Sequence, residues 1–120
     1  ANLAFNVVNG EIFRWKWLWP RLAAYFGIEA AAYLGTPNPL EDQMKDASAI
    51  WDQIVQKYGL QANKLSHVAS FWHSDADLGR QIETFNDMGR SRKLGFLEYQ
   101  ETLQSFTDAF DRLRADRIIP

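Results

Sequence analysis

Apolar residues recur at helical spacing early in this chain. The first stripe predicts an amphipathic helix that Gly27 ends, and its members are Trp15, Leu18, Trp19, Leu22 and Phe26. Pro20 interrupts the stripe. Either the regular turns begin near Leu18, which puts Pro20 in the first turn, or the helix kinks at Pro20.

A second helix is predicted after a connection over residues 30–38. Asn38 is the expected N-cap, Pro39 the first helical residue, and Glu41 is placed to reach back to the cap. The apolar positions then keep a three-four spacing until Gly59 stops the helix, at Met44, Ala47, Trp51, Ile54 and Tyr58.

Two further helices are predicted in the next part of the chain. The first has an apolar face that Asp75 and Asp77 interrupt, formed by Leu65, Val68, Ala69 and Trp72. The second is a short helix that Asn86 or Asp87 caps and Gly95 ends. Both predictions depend on local patterns alone.

A last helix and one or more short strands complete the predicted fold. The helix ends near Arg117 and has an apolar stripe of Tyr99, Leu103, Phe106, Phe110 and Leu113. Leu3–Val8 is rich in strand formers and precedes an Asn-Gly turn signal, and residues 82–85 form a second candidate strand. We predict a mostly helical α+β fold with four or five helices and one to three short strands, in one domain over residues 1–120. A lone leading strand needs a sheet partner for its backbone groups.

Composition excludes several classes of protein. The chain has 120 residues and a net charge of -2, whereas nucleic-acid-binding proteins usually have a basic excess, so we expect no nucleic-acid partner. No apolar run approaches the roughly twenty residues of a membrane helix, so we expect no membrane partner. The absence of cysteine fits a reducing compartment, and we expect a cytoplasmic location.

The chain offers few residues for catalysis. His67 and His73 lie six positions apart and do not share a helix face. His73, Asp75 and Asp77 could hold a metal, but solvated carboxylates at a helix end are the favoured interpretation. A hydrolase triad of His73, Ser74 and Asp75 would need a spatial geometry that sequence neighbours rarely supply. The seven glycines are too dispersed for a phosphate loop and no Tyr-x-x-x-Lys occurs, so we assign no catalytic, cofactor-binding or metal-binding residue.

Aromatic side chains are the richest feature of the sequence. Trp15 and Trp19 share a helix face and are predicted to pack, whereas Trp17 points elsewhere. Two interpretations stay open for Trp17 and for the pair Phe71 and Trp72. They either pack against neighbouring structure, or they line a ligand pocket or dock on another domain.

A basic cluster lies in residues 84–96, whose sequence is TFNDMGRSRKLGF. Arg92 and Lys93 fall in the last turn of the predicted short helix, where each cation gains about 0.3–1 kcal/mol from the helix dipole. A phosphate would prefer the opposite end of the helix. We therefore predict a structural role for the cluster, although Arg90 could still reach a ligand or another part of a longer protein.

Four stretches, taken in order, resemble the carboxy-terminal part of an extended or atypical short-chain dehydrogenase/reductase: FNVVNGEIFRWKWLWPRLAAYFG, FWHSDADLG, NDMGRSRKLGF and RLRADRIIP. This is the NAD-dependent epimerase/dehydratase superfamily, often labelled nucleoside-diphosphate-sugar epimerase. Within it, the chain most resembles the progesterone 5β-reductase and iridoid synthase-like group. Each motif is weak alone, but four in the right order over essentially the whole chain make a specific match.

The resemblance implies that the chain is the substrate-domain portion of a Rossmann-type enzyme and lacks the dinucleotide-binding half. The abrupt start within a predicted strand also fits a cut from a longer protein. In this family the glycine-rich loop and the catalytic Tyr and Lys lie in the amino-terminal Rossmann domain, which is the expected partner. NAD(P)H would therefore belong to the parent enzyme, and we expect no cofactor and no catalysis in this chain alone. Phe71 and Trp72 are the candidate substrate-binding residues.

The implied parent reaction is hydride transfer between a nicotinamide cofactor and a small-molecule substrate, and reduction of an alkene next to a carbonyl is favoured. One alternative is epimerisation or dehydration of a nucleotide sugar. Another, from a different class, is a self-standing helical interaction module. Surfaces that the absent half would cover should be apolar, so we expect the chain alone to self-associate, with the leading strands of two copies pairing.

Overall fold

The computed structural model describes residues 2–120, and every regular element in that range is a helix. The helices are α1 Trp15–Tyr25, α2 Leu40–Gln43, α3 Ala47–Tyr58, α4 Leu65–Val68, α5 Phe71–Leu78, α6 Gly89–Lys93 and α7 Thr102–Ala115. They belong to two compact units, one of residues 2–31 and 83–109 and one of residues 32–82 and 110–120. No helix in residues 2–120 is long and apolar enough to cross a membrane. The single domain expected over residues 1–120 stays a prediction.

The predicted strands at Leu3–Val8 and 82–85 are not confirmed. Neither stretch is part of a strand, and none occurs anywhere in residues 2–120. A strand is defined by backbone pairing with a neighbouring strand, and neither stretch has such a neighbour in the described chain. In the first stretch the carbonyl of Ala4 accepts a hydrogen bond from Arg90, and Asn6 Nδ2 donates to the carbonyl of Asp87. The mostly helical character is confirmed, and the strand count is not.

All five predicted helical stretches are helical, but two of them are each divided into two helices. The second predicted helix breaks between α2 and α3, where Met44 and Asp46 leave the helical region with ψ of 13° and 11°. The third breaks at Ala69, which is extended with φ -138° and ψ 142°. Asp75 and Asp77, expected to interrupt a helix, lie inside α5. The chain thus has seven helices in residues 2–120 instead of four or five.

The predicted glycine stops are confirmed. Gly27, Gly59 and Gly95 follow α1, α3 and α6 with positive φ of 69°, 61° and 94°, which glycine adopts without steric cost. In each case the N–H groups of the glycine and of the next residue return to carbonyls of the last turn. Arg117 ends α7 in the same way with φ 55°, and its carbonyl accepts the N–H of Gln61 at 2.8 Å.

The core of the first unit forms around α1. Its buried apolar side chains are Leu18, Leu22, Ala23 and Met88. Trp15 and Trp19, predicted to pack, are 40% and 49% exposed. They contact each other edge-on with ring centroids 6.3 Å apart, and the ring of Trp15 lies 6.3 Å from that of Phe106. Because α1 begins at Trp15, Pro20 lies inside the helix rather than in its first turn.

Trp51 is the buried aromatic residue of the second unit. Its side chain is 9% exposed, and its indole Nε1 donates a hydrogen bond to the carbonyl of Asn63 at 2.7 Å. This bond joins α3 to the segment before α4. The side chain of Gln61 adds a bond to the carbonyl of Asp116 at 2.6 Å, so the end of the chain is held beside the same segment.

Gly10 allows the segment before α1 to approach residues 98–100 closely. Its φ is 88°, and a Cβ at this position would lie 3.2 Å from the ring of Tyr99. The backbone N–H of Gln100 donates to the carbonyl of Asn9 at 2.9 Å. Desolvation raises the pKa of the Tyr99 hydroxyl above its ordinary value, and the nearby carboxylate of Glu11 adds to the shift. The turn predicted at this Asn-Gly pair thus brings two distant segments together.

The N-terminus of α7 is capped by a residue far away in sequence. The carboxylate of Glu11 accepts the backbone N–H of Thr102, the first residue of α7, and Asn9 Nδ2 donates to the Thr102 hydroxyl at 2.7 Å. A negative charge is favourable at this end of a helix, where backbone N–H groups lack partners. The hydrogen bonds from the Thr102 backbone and hydroxyl hold the pKa of Glu11 below its ordinary value, with a smaller contribution from the charge of Arg21.

The Glu11 cap should make the stability of the chain depend on pH. Because the pKa of Glu11 is lowered on folding, its contribution is complete above the ordinary value of 4.5 and is lost as the pH falls through the lowered folded value. Glu11→Gln keeps an oxygen acceptor but cannot titrate. We expect the stability difference between wild type and Glu11→Gln to be largest near neutral pH and to shrink on acidification.

Urea denaturation of both proteins at a series of pH values measures this difference. Glu29→Gln removes the same charge from an exposed position and serves as the control. A difference between wild type and Glu11→Gln that stays constant from neutral to acidic pH would contradict the prediction.

Candidate functional site

A groove in the second unit is lined by both residues that the sequence indicates for substrate binding. Phe71 and Trp72 are the first two residues of α5, and the groove has a volume of about 440 Å³. Phe71 is half-buried, and Trp72 is 61% exposed. We call it the α5 groove and define it by Met44, Lys45, Leu65, Ser70, Phe71 and Trp72.

The α5 groove is an open groove whose lining is about equally polar and apolar. Met44, Leu65 and the two aromatic residues supply carbon surface, and Ser70 and Lys45 supply polar atoms. The ammonium group of Lys45 also pairs with Asp42 at 2.8 Å. A small-molecule site combines apolar walls, which bind the carbon skeleton, with polar groups that orient it.

The break between α4 and α5 places the aromatic pair at the groove. Ala69 and Ser70 are extended and end α4, so the helix restarts at Phe71. The carbonyl of Ser70 accepts the backbone N–H of Ser74 at 3.1 Å and its hydroxyl at 3.2 Å, which closes the first turn of α5. Phe71 and Trp72 thus lie in the first turn of α5. The apolar spacing instead predicts one continuous helix from Leu65, with Trp72 near its end.

The N-terminus of α2 differs from the prediction. The sequence predicts Asn38 as its cap, but Pro39 is the N-cap residue and no local side chain bonds to the first turn. Asp75 of α5 takes this role: its Oδ1 accepts the N–H of Leu40 at 2.8 Å and its Oδ2 that of Glu41 at 3.0 Å. A carboxylate can satisfy two N–H groups at once and brings a negative charge to the positive end of the helix.

The sequence pattern does not reveal the contact between Asp75 and the N-terminus of α2. The partner of Asp75, Leu40, lies 35 positions away, so no local pattern could have indicated the contact. The other chemical candidates of α5 make local contacts. Ser74 donates to the backbone of its own helix, and Asp77 pairs with Arg80 at 2.5 Å and lies 3.3 Å from Nε2 of His73. In residues 2–120 no three His, Asp or Glu side chains are placed to hold a metal ion.

The basic cluster contacts the segment before α1 in the first unit. Arg90 Nη1 donates to the carbonyl of Ala4 at 3.2 Å, and its guanidinium lies 5.7 Å from the ring centroid of Phe5. Arg92 Nη2 donates to the carbonyl of Gly10 at 3.4 Å. The two arginines therefore bond backbone carbonyls of the same chain, which supports a structural role.

The helix that carries the cluster has Met88 as its N-cap residue instead of the predicted Asn86 or Asp87, and Gly95 ends it as predicted. Asp87, one of the two predicted capping residues, accepts the N–H of Gly89 at 2.7 Å. The hydroxyl of buried Ser91 donates to the carbonyl of Met88 at 2.9 Å. All three cations of the cluster lie in the last turn of α6, at the negative end of the helix dipole.

In residues 2–120 no glycine-rich loop precedes a helix N-terminus. A phosphate cradle is formed by a glycine-rich loop at a helix N-terminus. Here the glycines at positions 27, 59 and 95 follow helix C-termini, where carbonyl groups point outward. The backbone N–H groups at the N-termini of α2 and α7 donate to the carboxylates of Asp75 and Glu11. The negative charge of these carboxylates would repel a pyrophosphate.

Comparison with known families identifies the class of protein. Residues 2–120 match the family model described as a PRISE-like Rossmann-fold domain. The chain therefore belongs to the PRISE-like Rossmann-fold family, which comprises progesterone 5β-reductase-like members of the short-chain dehydrogenases/reductases. The resemblance carried by the four sequence stretches is confirmed.

Individual relatives carry enzyme names. The chain is 41% identical over 120 residues to an (S)-8-oxocitronellyl enol synthase of Antirrhinum majus, 40% over 120 residues to one of Nepeta cataria, and 36% over 121 residues to one of Catharanthus roseus. Each alignment covers 99% of this chain and 31% of the relative. The chain thus spans about a third of the length of the curated relatives it matches.

Replacing Arg90 should test the structural role of the basic cluster. Arg90→Ala should lower the free energy of unfolding by about 0.5–1.5 kcal/mol, because a hydrogen bond to the Ala4 carbonyl and the contact with Phe5 are lost. Lys93→Ala is the matched control, since it removes a cation from the same turn and its side chain makes no hydrogen bond or ion pair within residues 2–120. Urea denaturation measures both effects. Equal losses for the two variants would contradict a specific role for Arg90.

Proposed function

We propose that this chain forms the substrate-contacting part of an NAD(P)H-dependent reductase that acts on an alkene conjugated to a carbonyl group. The observation that carries the proposal is its alignment, over 99% of its length, with relatives named enol synthases. Hydride addition to the alkene carbon β to a carbonyl moves an electron pair onto the oxygen, and protonation of that oxygen gives an enol. When bound, NAD(P)H supplies the hydride, and the residues that hold it lie outside this chain.

In this proposal the α5 groove contacts the carbon skeleton of the substrate. Phe71 and Trp72 supply the aromatic surface, and the exposed face of Trp72 is available to a ligand. Burial of apolar surface yields about 25 cal/mol per Å², so a small aliphatic substrate gains much of its affinity from such contacts. The chain contributes binding and orientation, and the chemical step is assigned to the rest of the complete protein.

The alternatives receive less support. A nucleotide-sugar epimerase must bind a pyrophosphate, and the N-termini of α2 and α7 are already capped by carboxylates. A self-standing interaction module does not agree with the enzyme names of the relatives or with a match of residues 2–120 to an enzyme family. Both observations favour a part of a reductase.

The exposed apolar residues before α1 support a partnership with a Rossmann domain in the complete protein. Leu3, Phe5 and Val7 are 46%, 42% and 72% exposed, although residues of this type are normally buried. Alternate positions of an extended segment that are all apolar are typical of a half-buried strand. We propose that the rest of the complete protein covers this segment, and that in the isolated chain the same surface promotes self-association.

The isolated chain should neither bind NADPH nor turn over a substrate. The reason is that carboxylates occupy the N-termini of α2 and α7, and no glycine-rich loop precedes a helix N-terminus in residues 2–120. Isothermal titration calorimetry of NADPH into the chain measures this. Binding with a micromolar dissociation constant would contradict the prediction.

Replacing Trp72 in the complete protein tests the substrate contact. Trp72→Ala should raise the KM for an enone about ten-fold, because a large apolar contact is lost, and should leave the KM for NADPH unchanged. Oxidation of NADPH, followed by its absorbance, measures both constants. Trp17→Ala is the matched control, since Trp17 is also 61% exposed and lies on α1.

The substrate used in this assay separates the two reactions. The complete protein should oxidise NADPH with an enone and should leave a UDP-sugar unchanged. Conversion of the UDP-sugar with no enone activity would contradict the reductase assignment. An equal rise of KM in Trp17→Ala and Trp72→Ala would contradict the assignment of the α5 groove.

A further inference from the structure

One carboxylate joins the two walls of the α5 groove. The first wall is α2 and the turn after it, with Met44 and Lys45, and the second is the first turn of α5, with Phe71 and Trp72. In the part of the chain that the structure describes, both hydrogen bonds between these walls end on Asp75. The two oxygens of Asp75 accept consecutive N–H groups, which determines the orientation of α2 as well as its distance from α5.

The position of α2 depends on this contact. The helix has four residues, and helices of that length have no stability of their own in water. Its local cap makes no side-chain hydrogen bond. Asp75 stands one turn after Phe71 on α5, and its partner Leu40 stands one turn before Met44.

We infer that Asp75 is a positioning residue that sets the width of the α5 groove and thereby the size of the substrate it accepts. The inference rests on the proposed function, because it assigns substrate binding to this groove. Asp75 touches neither substrate nor cofactor. It acts through the placement of Met44 and Lys45 opposite Phe71 and Trp72. Loss of the carboxylate frees α2 and widens the groove, which weakens the contact with a small substrate more than with a large one.

Asp75→Ala and Asp75→Asn in the complete protein test the inference. The alanine variant loses both hydrogen bonds, and the asparagine variant keeps one oxygen acceptor. We expect Asp75→Ala to raise the KM for a small enone about five- to ten-fold, Asp75→Asn to have a smaller effect, and the KM for NADPH to stay unchanged. The ratio of kcat/KM for an enone with a long alkyl chain to that for a small enone should rise about three-fold or more in Asp75→Ala.

Asp77→Asn is the matched control on the same helix. Asp77 pairs with Arg80 and lies near His73, and does not bond to α2, so its replacement should leave the size preference unchanged. Thermal denaturation of every variant accompanies the kinetics. A fall of kcat that is the same for all enones, together with a lower melting temperature, would assign Asp75 to fold stability and overturn the inference. A failure of both Asp75 variants to fold would overturn it as well.

The outcomes also separate this inference from the proposed function. A KM that changes in Trp72→Ala and not in Asp75→Ala would overturn the positioning role alone. A KM that changes in neither variant would overturn the assignment of the groove to substrate binding. A changed size preference in Asp75→Ala, with the NADPH constant unaltered, supports both.

Discussion

Both units of this chain depend on a carboxylate that caps a helix N-terminus from a distant position in sequence. Glu11 caps α7 across 91 positions, and Asp75 caps α2 across 35. Glu11 satisfies one backbone N–H group and Asp75 satisfies two, and each carboxylate places a negative charge at the positive end of a helix. A local cap stabilises only its own helix, whereas these caps also attach the helix to another segment.

The same contacts account for the N-termini of two helices and for two cations of the basic cluster. The N-termini of α2 and α7 are occupied by carboxylates, and the basic cluster of α6 bonds the carbonyls of Ala4 and Gly10. Positive charge in a slightly acidic chain is thus used to hold the segment before α1. The chain spans 31% of the length of the Antirrhinum majus relative.

The chemical capacity of the chain lies in apolar surface. The α5 groove gathers two aromatic residues and a methionine around a space of about 440 Å³, and further apolar side chains are exposed before α1. Apolar contact binds a small organic molecule or a protein surface without performing a chemical step. In the proposed function the chain contacts and orients the substrate, and the chemistry is performed elsewhere in the complete protein.

The sequence by itself determined the helices and their ends, because these depend on neighbours a few positions apart. The helical spacing and the stops at Gly27, Gly59 and Gly95 follow from local pattern. The four stretches of resemblance identify the family without any knowledge of tertiary contacts. Phe71 and Trp72 are candidates on the same basis, and both of them line one groove.

Only the tertiary structure decided where helices divide and what caps them. The breaks at Met44 and Ala69 divide stretches whose spacing is continuous in the sequence. The caps from Glu11 and Asp75 join segments that are 91 and 35 positions apart. The strand expected at Leu3–Val8 is not confirmed, because strand pairing needs a partner and residues 2–120 do not provide one. Local periodicity specifies a helix, whereas a cap or a strand between distant segments exists only once folding has brought them together.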